Sequence, residues 1–297
     1  ADKVHTVSPT YAREILFGSD YSRGIYGGDG LETDLGRRHQ HGDLVGILNG
    51  CDYRGWDDGD FPCKRSHREL SEIMLTQVVA WAAKGVKVKT SHWIAERRLR
   101  LWQTQESIGM TVTSIGRLTE QKVRMLREPL PNGESTLQAL LNILSDRGSL
   151  IILGSGDTKL ETFITETSAH NENLIFVNGY SDALSKKIYC FGDLFLMPSS
   201  FEPCGISQML AMRAGQPCLV HGVGGLKDTV KDGHNGFVFT GEDIQQQAQA
   251  MVALFQDAVE LFENDSDRWK QIKENAKQTR ITWNASAEQY LEKLYKS

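Results

Sequence analysis

One segment of the sequence combines a buried-strand pattern, a carboxylate and the start of a helix. The apolar run Leu194–Met197 predicts a strand, and Ile206, Met209 and Leu210 repeat as they would on one side of a helix. Glu202 therefore lies at the carboxyl end of a strand. In open α/β sheets ligands bind at that edge, and the first N–H groups of a helix attract anions. The segment predicts a site for a phosphorylated ligand, although an acidic residue before a helix can also be a simple cap.

A second strand-to-helix turn favours the ligand site over the cap. The strand predicted at 217–220 ends in His221, and Gly224 and Gly225 precede a helical pattern. Paired glycines allow a backbone to approach a ligand closely, where a side chain would collide. We expect the two turns to face one crevice.

The elements that would position these turns alternate along the chain from about Met110. Apolar runs and helical patterns follow one another with short turns between them, which is typical of an α/β fold with helices on both faces of a parallel sheet. We predict a Rossmann-like, doubly wound parallel sheet. The predicted strands are 111–115, 150–153, 174–177, 194–197, 217–220 and 236–239, and the predicted helices are 135–145, 158–169, 183–190, 206–214 and 226–231.

Composition excludes several classes of protein. The chain has 297 residues with 40% hydrophobic content, which suffices for one large or two modest domains. Its net charge of −5 predicts no nucleic-acid partner and no anionic membrane partner. The number of cysteines, five, is odd, and no C-x-x-C pair occurs, so we predict free thiols. No apolar run is long enough for a membrane span or a signal peptide, and we expect a cytoplasmic protein.

Six motifs resemble one known family. In chain order they are residues 7–14 (VSPTYARE), 46–53 (GILNGCDY), 116–122 (GRLTEQK), 202–208 (EPCGISQ), 211–213 (AMR) and 224–230 (GGLKDTV). The chain resembles bacterial glycogen synthases and plant starch synthases, which are retaining glycosyltransferases of the GT-B fold. The resemblance implies a glucosyltransferase that moves glucose from ADP-glucose to the non-reducing end of an α-1,4-glucan. It implies no metal or other cofactor.

By this resemblance, Arg117, Lys122 and Glu202 are the catalytic residues. Arg117 and Lys122 follow the first strand of the large domain and would hold the diphosphate, since such transfer leaves a diphosphate whose growing charge needs fixed cations. Without the surrounding motif they would be two exposed basic residues in a loop. Glu202 would accept hydrogen bonds from hydroxyl groups of the transferred sugar.

The resemblance also implies residues that bind the sugar nucleotide. Tyr180 matches the position that stacks on the nucleobase, with core packing as the alternative. Asn49 lies at the hinge and would reach the sugar, and Cys204 would pack beside the sugar and contribute its backbone. The remaining predicted binding residues belong to the two turns: Gly205, Ile206, Ser207, Gly224 and Gly225.

The family's order of motifs predicts four regions. Residues 1–50 are expected to be a remnant of the N-terminal acceptor domain with the hinge, 51–109 a linker or insert, 110–280 the nucleotide-sugar domain, and 281–297 a helix that crosses back. No Lys-x-Gly-Gly motif occurs, so the resemblance implies a missing N-terminal domain as a partner, and we expect the isolated chain not to elongate glucan. The turn at 57–60 is expected to be solvated, and the tryptophans of 51–109 are expected to fill cores or domain contacts.

Two rival functions remain open on the sequence. A truncated relative could bind a sugar nucleotide or a glucan without catalysis, and the absent acceptor-domain motif favours that alternative. A related glycosyltransferase that uses UDP-glucose would share the fold. The Glu-Pro-Cys-Gly block at 202–205 favours the glycogen and starch synthase type over the UDP-dependent type.

Overall fold

The computed structural model describes residues 2–56, 66–85 and 88–296. Its strands are β1 (Val4–Thr6), β2 (Leu44–Gly46), β3 (Met110–Ile115), β4 (Gly148–Gly154), β5 (Leu174–Asn178), β6 (Leu194–Met197), β7 (Cys218–His221) and β8 (Gly236–Phe239). Its helices are α1 (Pro9–Glu14), α2 (Glu32–Gln40), α3 (His67–Lys84), α4 (Thr90–Thr104), α5 (Glu120–Arg127), α6 (Thr136–Ile143), α7 (Thr158–His170), α8 (Asp182–Phe191), α9 (Ser207–Arg213), α10 (Gly224–Thr229), α11 (Ile244–Asn264), α12 (Ser266–Gln278) and α13 (Trp283–Tyr290), which continues into a π-helical turn (Leu291–Tyr295). Among these helices none is long and apolar enough to cross a bilayer.

Strands β3 to β8 form one parallel sheet in the order β5-β4-β3-β6-β7-β8. All of the strands predicted from residue 111 onward are present, so the predicted fold class is confirmed. Strands β3, β4 and β5 follow one another from the middle of the sheet to one edge, and β6, β7 and β8 follow one another from the middle to the other edge. Strand order therefore reverses between β3 and β6, as in doubly wound sheets that bind nucleotides.

Both faces of this sheet are covered, which explains why its strands read as continuous apolar runs. In β4, Leu150 and Ile152 join a core with α5, α6 and α11 on one face. Ile151 and Leu153 join a second core with α3, α4 and α8 on the other face. The alternation follows from the pleat, which points successive side chains to opposite faces.

Helices α3 and α4 lie in the stretch predicted to be a linker or insert. Leu70, Met74 and Val78 of α3 are buried in the second core, and the Ser71 hydroxyl donates to the Leu99 carbonyl of α4 at 2.8 Å. The stretch thus contributes helices to one face of the sheet, while the predicted domain boundaries stay predictions. The predicted turn at 57–60 lies outside the described residues.

The first fifty residues contact the end of the chain. Strands β1 and β2 pair in parallel. The Ser286 hydroxyl of α13 donates to the Leu48 carbonyl at 2.7 Å, and the Tyr290 ring packs edge-on against His5 with centroids 5.1 Å apart. The Ser, Asp and Asn residues near 264–266 and 282–284 predict breaks in the helical pattern of the tail. The structure has both breaks, where Asp265 and Thr282 cap α12 and α13.

Candidate functional site

The loops that carry the predicted catalytic residues leave neighbouring strands at the reversal of the sheet. Strands β3 and β6 are hydrogen-bonded partners. Arg117 lies in the turn after β3, and Glu202 lies in the loop after β6. Since parallel strands end at the same edge, both loops border the crevice in which such sheets bind ligands.

Lys122 and Glu202 form an ion pair across this crevice. The Lys122 Nζ contacts Glu202 Oε2, and the two side chains are 25% and 10% exposed. Lys122 lies in the first turn of α5, whereas Arg117 lies in the preceding turn and is exposed. The structure therefore brings Lys122 and Glu202 into contact and leaves Arg117 open to solvent.

The loop that holds Glu202 is fixed by its neighbours. The Ser200 N–H donates to the Gln121 carbonyl at 2.8 Å, which ties the loop to α5. The fully buried Gln208 amide donates to the carbonyls of Cys204 at 3.1 Å and Gly205 at 3.2 Å. Gln208 was part of the sequence motif but had no predicted role. A glutamine at the second position of a helix, directly after the motif loop, is the sequence signal that points to such a loop-holding residue.

Gly224 and Gly225 allow the two turns to touch each other. A Cβ atom at Gly224 would lie 2.1 Å from the Glu202 carbonyl oxygen, and one at Gly225 would lie 2.1 Å from the Cys204 carbonyl oxygen. The Gly225 N–H donates to the Glu202 carbonyl at 2.9 Å. The sequence interpretation assigned these glycines to close approach of a ligand. The structure assigns the close approach to the Glu202 loop itself.

A cavity of about 750 Å³ opens at this edge of the sheet. Five of the predicted site residues line it, namely Arg117, Lys122, Tyr180, Ile206 and Ser207. Tyr180 is 57% exposed, so the alternative that it packs in the core is excluded. Other lining residues include Trp56, Ser114, Ser155, Lys186, Tyr189 and Ser199. The cavity thus combines cations, hydroxyl groups and an open aromatic ring.

Asn49 and Cys204 lie together beside this cavity and do not line it. The Cys204 thiol approaches the Asn49 carbonyl, and the Asn49 side-chain oxygen is 3.5 Å from the Tyr290 hydroxyl. Burial raises the pKa of the Cys204 thiol. The sulfur is therefore held in its protonated, less nucleophilic form, as expected for a packing residue.

Helix α1 is hydrogen-bonded to the turn and helix that carry the paired glycines. The Gly224 N–H donates to the Glu14 carboxylate at 2.8 Å, and Thr10 donates to Asp228 from its N–H and its hydroxyl, both at 2.7 Å. Burial raises the pKa of Glu14, while the Gly224 hydrogen bond opposes that rise. A carboxylate of the chain itself thus accepts a hydrogen bond from the N–H group of one of the predicted donor-binding glycines.

His221, at the end of β7, is buried and stacks on Phe239 with ring centroids 5.2 Å apart. Its Nδ1 lies 3.2 Å from the Ser199 carbonyl, which accepts a hydrogen bond when that nitrogen carries the proton. Burial lowers the pKa of His221 to about 4. The folded protein therefore resists protonation of this ring.

We expect His221 to make the protein less stable in mild acid. Because the folded pKa lies below the unfolded value of about 6.5, the stabilisation is complete above that pH and is lost as pH falls towards 4. Between pH 7 and pH 5 the contribution of His221 to the free energy of unfolding should decrease by about 2 kcal/mol. Urea unfolding at both pH values checks this. In His221→Gln the decrease should be smaller by that amount, and an identical decrease in both proteins would contradict the assignment.

The charges of the site suit an anionic ligand that carries hydroxyl groups. Arg117 and Lys122 supply two cations, and Lys122 is partly desolvated, which strengthens its interaction with phosphate oxygens. Ile206 and Ser207 at the start of α9 line the same cavity, and no side chain caps that helix, so its first N–H groups are available to a ligand. Glu202 offers acceptors for hydroxyl groups. The arrangement can bind a diphosphate next to a sugar.

Comparison with known proteins finds glycosyltransferases. Residues 110–257 match the family described as "Glycosyl transferases group 1". The glycogen synthase of Vibrio vulnificus is 33% identical over 311 residues, covering 100% of this chain and 56% of that protein. The glycogen synthase of Desulfitobacterium hafniense is 34% identical over 308 residues, covering 100% of this chain and 55% of that protein. The chain spans about half the length of the curated relatives it matches.

Two solved structures share the fold. The catalytic domain of starch synthase IV from Arabidopsis thaliana, bound to ADP and acarbose, superposes with a TM-score of 0.72 and 27% identity, covering 99% of this chain and 55% of that one. The Anabaena protein HepE, bound to UDP and glucose, superposes with a TM-score of 0.60 and 17% identity, covering 100% of this chain and 64% of that one. The second likeness shows the fold alone.

Proposed function

The chain belongs to the family of glycogen and starch synthases, and we propose that its cavity binds the sugar-nucleotide donor of a glucosyl transfer. The observation that carries the proposal is the Lys122–Glu202 pair at the reversal of the sheet. Lys122 and Arg117 line the cavity of about 750 Å³, and Glu202 reaches it through its contact with Lys122. That volume falls within the range of about 300–1,000 Å³ that small-molecule pockets occupy.

We propose that the ion pair holds the empty site ready for the donor. Without a ligand, Lys122 and Glu202 neutralise each other, which avoids a buried unpaired charge. When the donor enters, the phosphate oxygens replace Glu202 as the partner of Lys122. Glu202 then accepts hydrogen bonds from the sugar. The two side chains exchange partners while the backbone segments that carry them stay in place, so little reorganisation accompanies the reaction.

In this proposal the chain's residues act mainly on charge and position. As the bond between the anomeric carbon and the diphosphate breaks, negative charge grows on the leaving group, and Arg117 and Lys122 stabilise it. These cations are the reason that we propose transfer without a metal ion. Glu202 orients the sugar and faces its developing positive charge. We propose that the leaving phosphate takes the acceptor's proton, which gives retention of configuration without a protein nucleophile.

We further propose ADP-glucose as the donor and an α-1,4-glucan as the acceptor. The starch synthase IV structure is bound to ADP and acarbose, and its likeness to this chain over 99% of the chain supports this choice. Tyr180 would stack on the adenine. A cytoplasmic location is consistent with the free thiols of Cys51, Cys204 and Cys218.

Titration calorimetry with ADP, AMP and UDP tests the proposal. ADP should bind more tightly than AMP, because the second phosphate reaches Arg117 and Lys122, and Arg117→Ala should weaken ADP binding by roughly 1.5–3 kcal/mol. Arg147→Ala is a matched control, since Arg147 lies at the opposite edge of the sheet in an ion pair with Glu263. Equal affinity for ADP and AMP, with no effect of Arg117→Ala, would refute the diphosphate site. Tighter binding of UDP would favour the rival donor.

A further inference from the structure

Trp81, near the end of α3, packs against the loop that carries Tyr180. We propose that Trp81 is a positioning residue for the nucleobase: it sets the height of the Gly179–Tyr180 backbone and so determines how well the Tyr180 ring stacks on the base. This inference rests on the proposed function, because it assumes that a nucleotide occupies the cavity. It assigns a role to a stretch that the family motifs leave unexplained.

Helix α3 is a firm support for such a contact. Its buried residues Leu70, Met74 and Val78 form one stripe, which packs in the same core as Ile175 and Val177 of β5. Trp81 is half-buried at the end of this stripe. Because the helix rests on the strand that leads into the Tyr180 loop, the position of Trp81 relative to that loop is fixed by the core.

Gly179 shows how close the contact is. A Cβ atom at Gly179 would lie 2.5, 2.6 and 2.8 Å from three carbon atoms of the Trp81 ring, and these are the three nearest atoms to that position. Gly179 does not have a positive φ angle, so its backbone could accommodate alanine without conformational strain. Glycine at 179 is therefore explained by the indole ring and not by the turn.

The loop has few other supports. The Gly179 N–H donates to the Gly154 carbonyl at 3.1 Å, and the Tyr180 hydroxyl donates to Asp182 at 2.6 Å. The Tyr180 side chain is 57% exposed and lines the cavity. A shift of Trp81 would therefore move the ring that faces the ligand.

The same geometry separates the base from the diphosphate. In the order β5-β4-β3, the Tyr180 loop after β5 lies two strands from the Arg117 turn after β3, which is about 10 Å. The Arg117 and Lys122 positions depend on β3 and α5, which Trp81 does not support. Changes at Trp81 should therefore weaken binding of a nucleotide and spare binding of a diphosphate without a base.

A double-mutant cycle on the full chain tests this. We would measure the affinity for ADP and for inorganic pyrophosphate by calorimetry in Gly179→Ala, Trp81→Ala and the double variant. Each single variant should bind ADP about 5- to 20-fold more weakly, in the range expected for a base that loses an aromatic stack, and pyrophosphate within about twofold of the unmodified chain. In the Trp81→Ala background the alanine at 179 has room, so its further effect on ADP should fall below about twofold.

Three controls make the result decisive. Trp93→Ala removes a 64% exposed tryptophan from α4 and should change neither affinity. Thermal melting reports whether each variant folds, and Trp81→Phe, which keeps a ring in the core, replaces Trp81→Ala if that variant does not fold. The inference is overturned if Gly179→Ala lowers the ADP affinity by the same factor with Trp81 and with alanine at position 81. It is also overturned if the variants lose affinity for ADP and for pyrophosphate equally. If the unmodified chain binds pyrophosphate as tightly as ADP, the base contributes nothing to affinity, and only the role of Trp81 in positioning the base is overturned. If the unmodified chain binds neither compound, the proposed function is overturned as well.

Discussion

Replacing Lys122 with alanine is expected to weaken ADP binding by about 10- to 150-fold, the equivalent of roughly 1.5–3 kcal/mol for lost charged hydrogen bonds. The same change should lower the free energy of unfolding by about 2–3 kcal/mol. Glu202 is only 10% exposed and would lose the cation that compensates its charge. This decrease in the free energy of unfolding is smaller than the decrease expected for a fully buried ion pair, because the Lys122 side chain is 25% exposed. Calorimetry with ADP and urea unfolding measure the two effects.

A second substitution separates these two effects. Adding Glu202→Gln to Lys122→Ala removes the uncompensated charge, so stability should recover while ADP affinity stays low. Lys270→Ala is the matched control: its ion pair with Asp267 is exposed, with side chains 73% and 94% accessible, and its loss should cost less than about 0.5 kcal/mol. Recovery of ADP binding in the double variant, or unchanged stability in Lys122→Ala, would show that the pair does not hold the site.

Replacing Gly225 with alanine is expected to destabilise the protein by about 3 kcal/mol and to disrupt ADP binding. The added methyl group would lie 2.1 Å from the Cys204 carbonyl oxygen and 2.5 Å from the Cys204 Cα atom. Both are backbone atoms of a loop that Gln208 holds in place, so they cannot move aside as a side chain could. The Glu202 loop would have to shift, and the ion pair with Lys122 would shift with it. Urea unfolding and calorimetry with ADP check both effects.

Gly36→Ala provides the contrast. Gly36 lies inside helix α2, where an added Cβ atom meets nothing within 4 Å. Alanine should therefore stabilise the protein by about 0.5–1 kcal/mol, since glycine is a poor helix former. If Gly225→Ala were as harmless as Gly36→Ala, the two turns could not be in the close contact that the structure shows.

Sequence patterns were sufficient to predict the six-stranded parallel sheet. Its strands are buried on both faces, so most of them appear as apolar runs, whereas the buried strand β3 also contains Thr111, Thr113 and Ser114. The helical patterns between the strands imply parallel crossovers. The two breaks after α11 and α12 could be predicted as well, because Asp265 and Thr282 are capping residues at the ends of periodic runs. Both kinds of signal lie within a few residues of the element that they predict, so they can be recognised in a single sequence.

The sequence also predicted which loops face one another, but less completely. A residue after a parallel strand lies at one edge of the sheet whatever the strand order, which is why Arg117 and Glu202 could be assigned to the same edge. Their residue types and the family motifs indicated the chemistry. That Lys122 pairs with Glu202, while Arg117 stays exposed, depends on β3 and β6 being neighbours. No residue spacing in the sequence indicates that β3 and β6 are neighbours.

Only the tertiary structure decided the contacts between distant segments. The sequence predicted that Gly224 and Gly225 approach a ligand, and the structure adds that both lie against the Glu202 loop. The Glu14 carboxylate, far away in sequence, accepts a hydrogen bond from the Gly224 N–H. Trp81 meets Gly179 because α3 rests on β5. Each contact joins residues far apart in sequence through elements whose relative placement is set by core packing. A single sequence shows the residue types that such contacts need, while the partners are chosen by the fold.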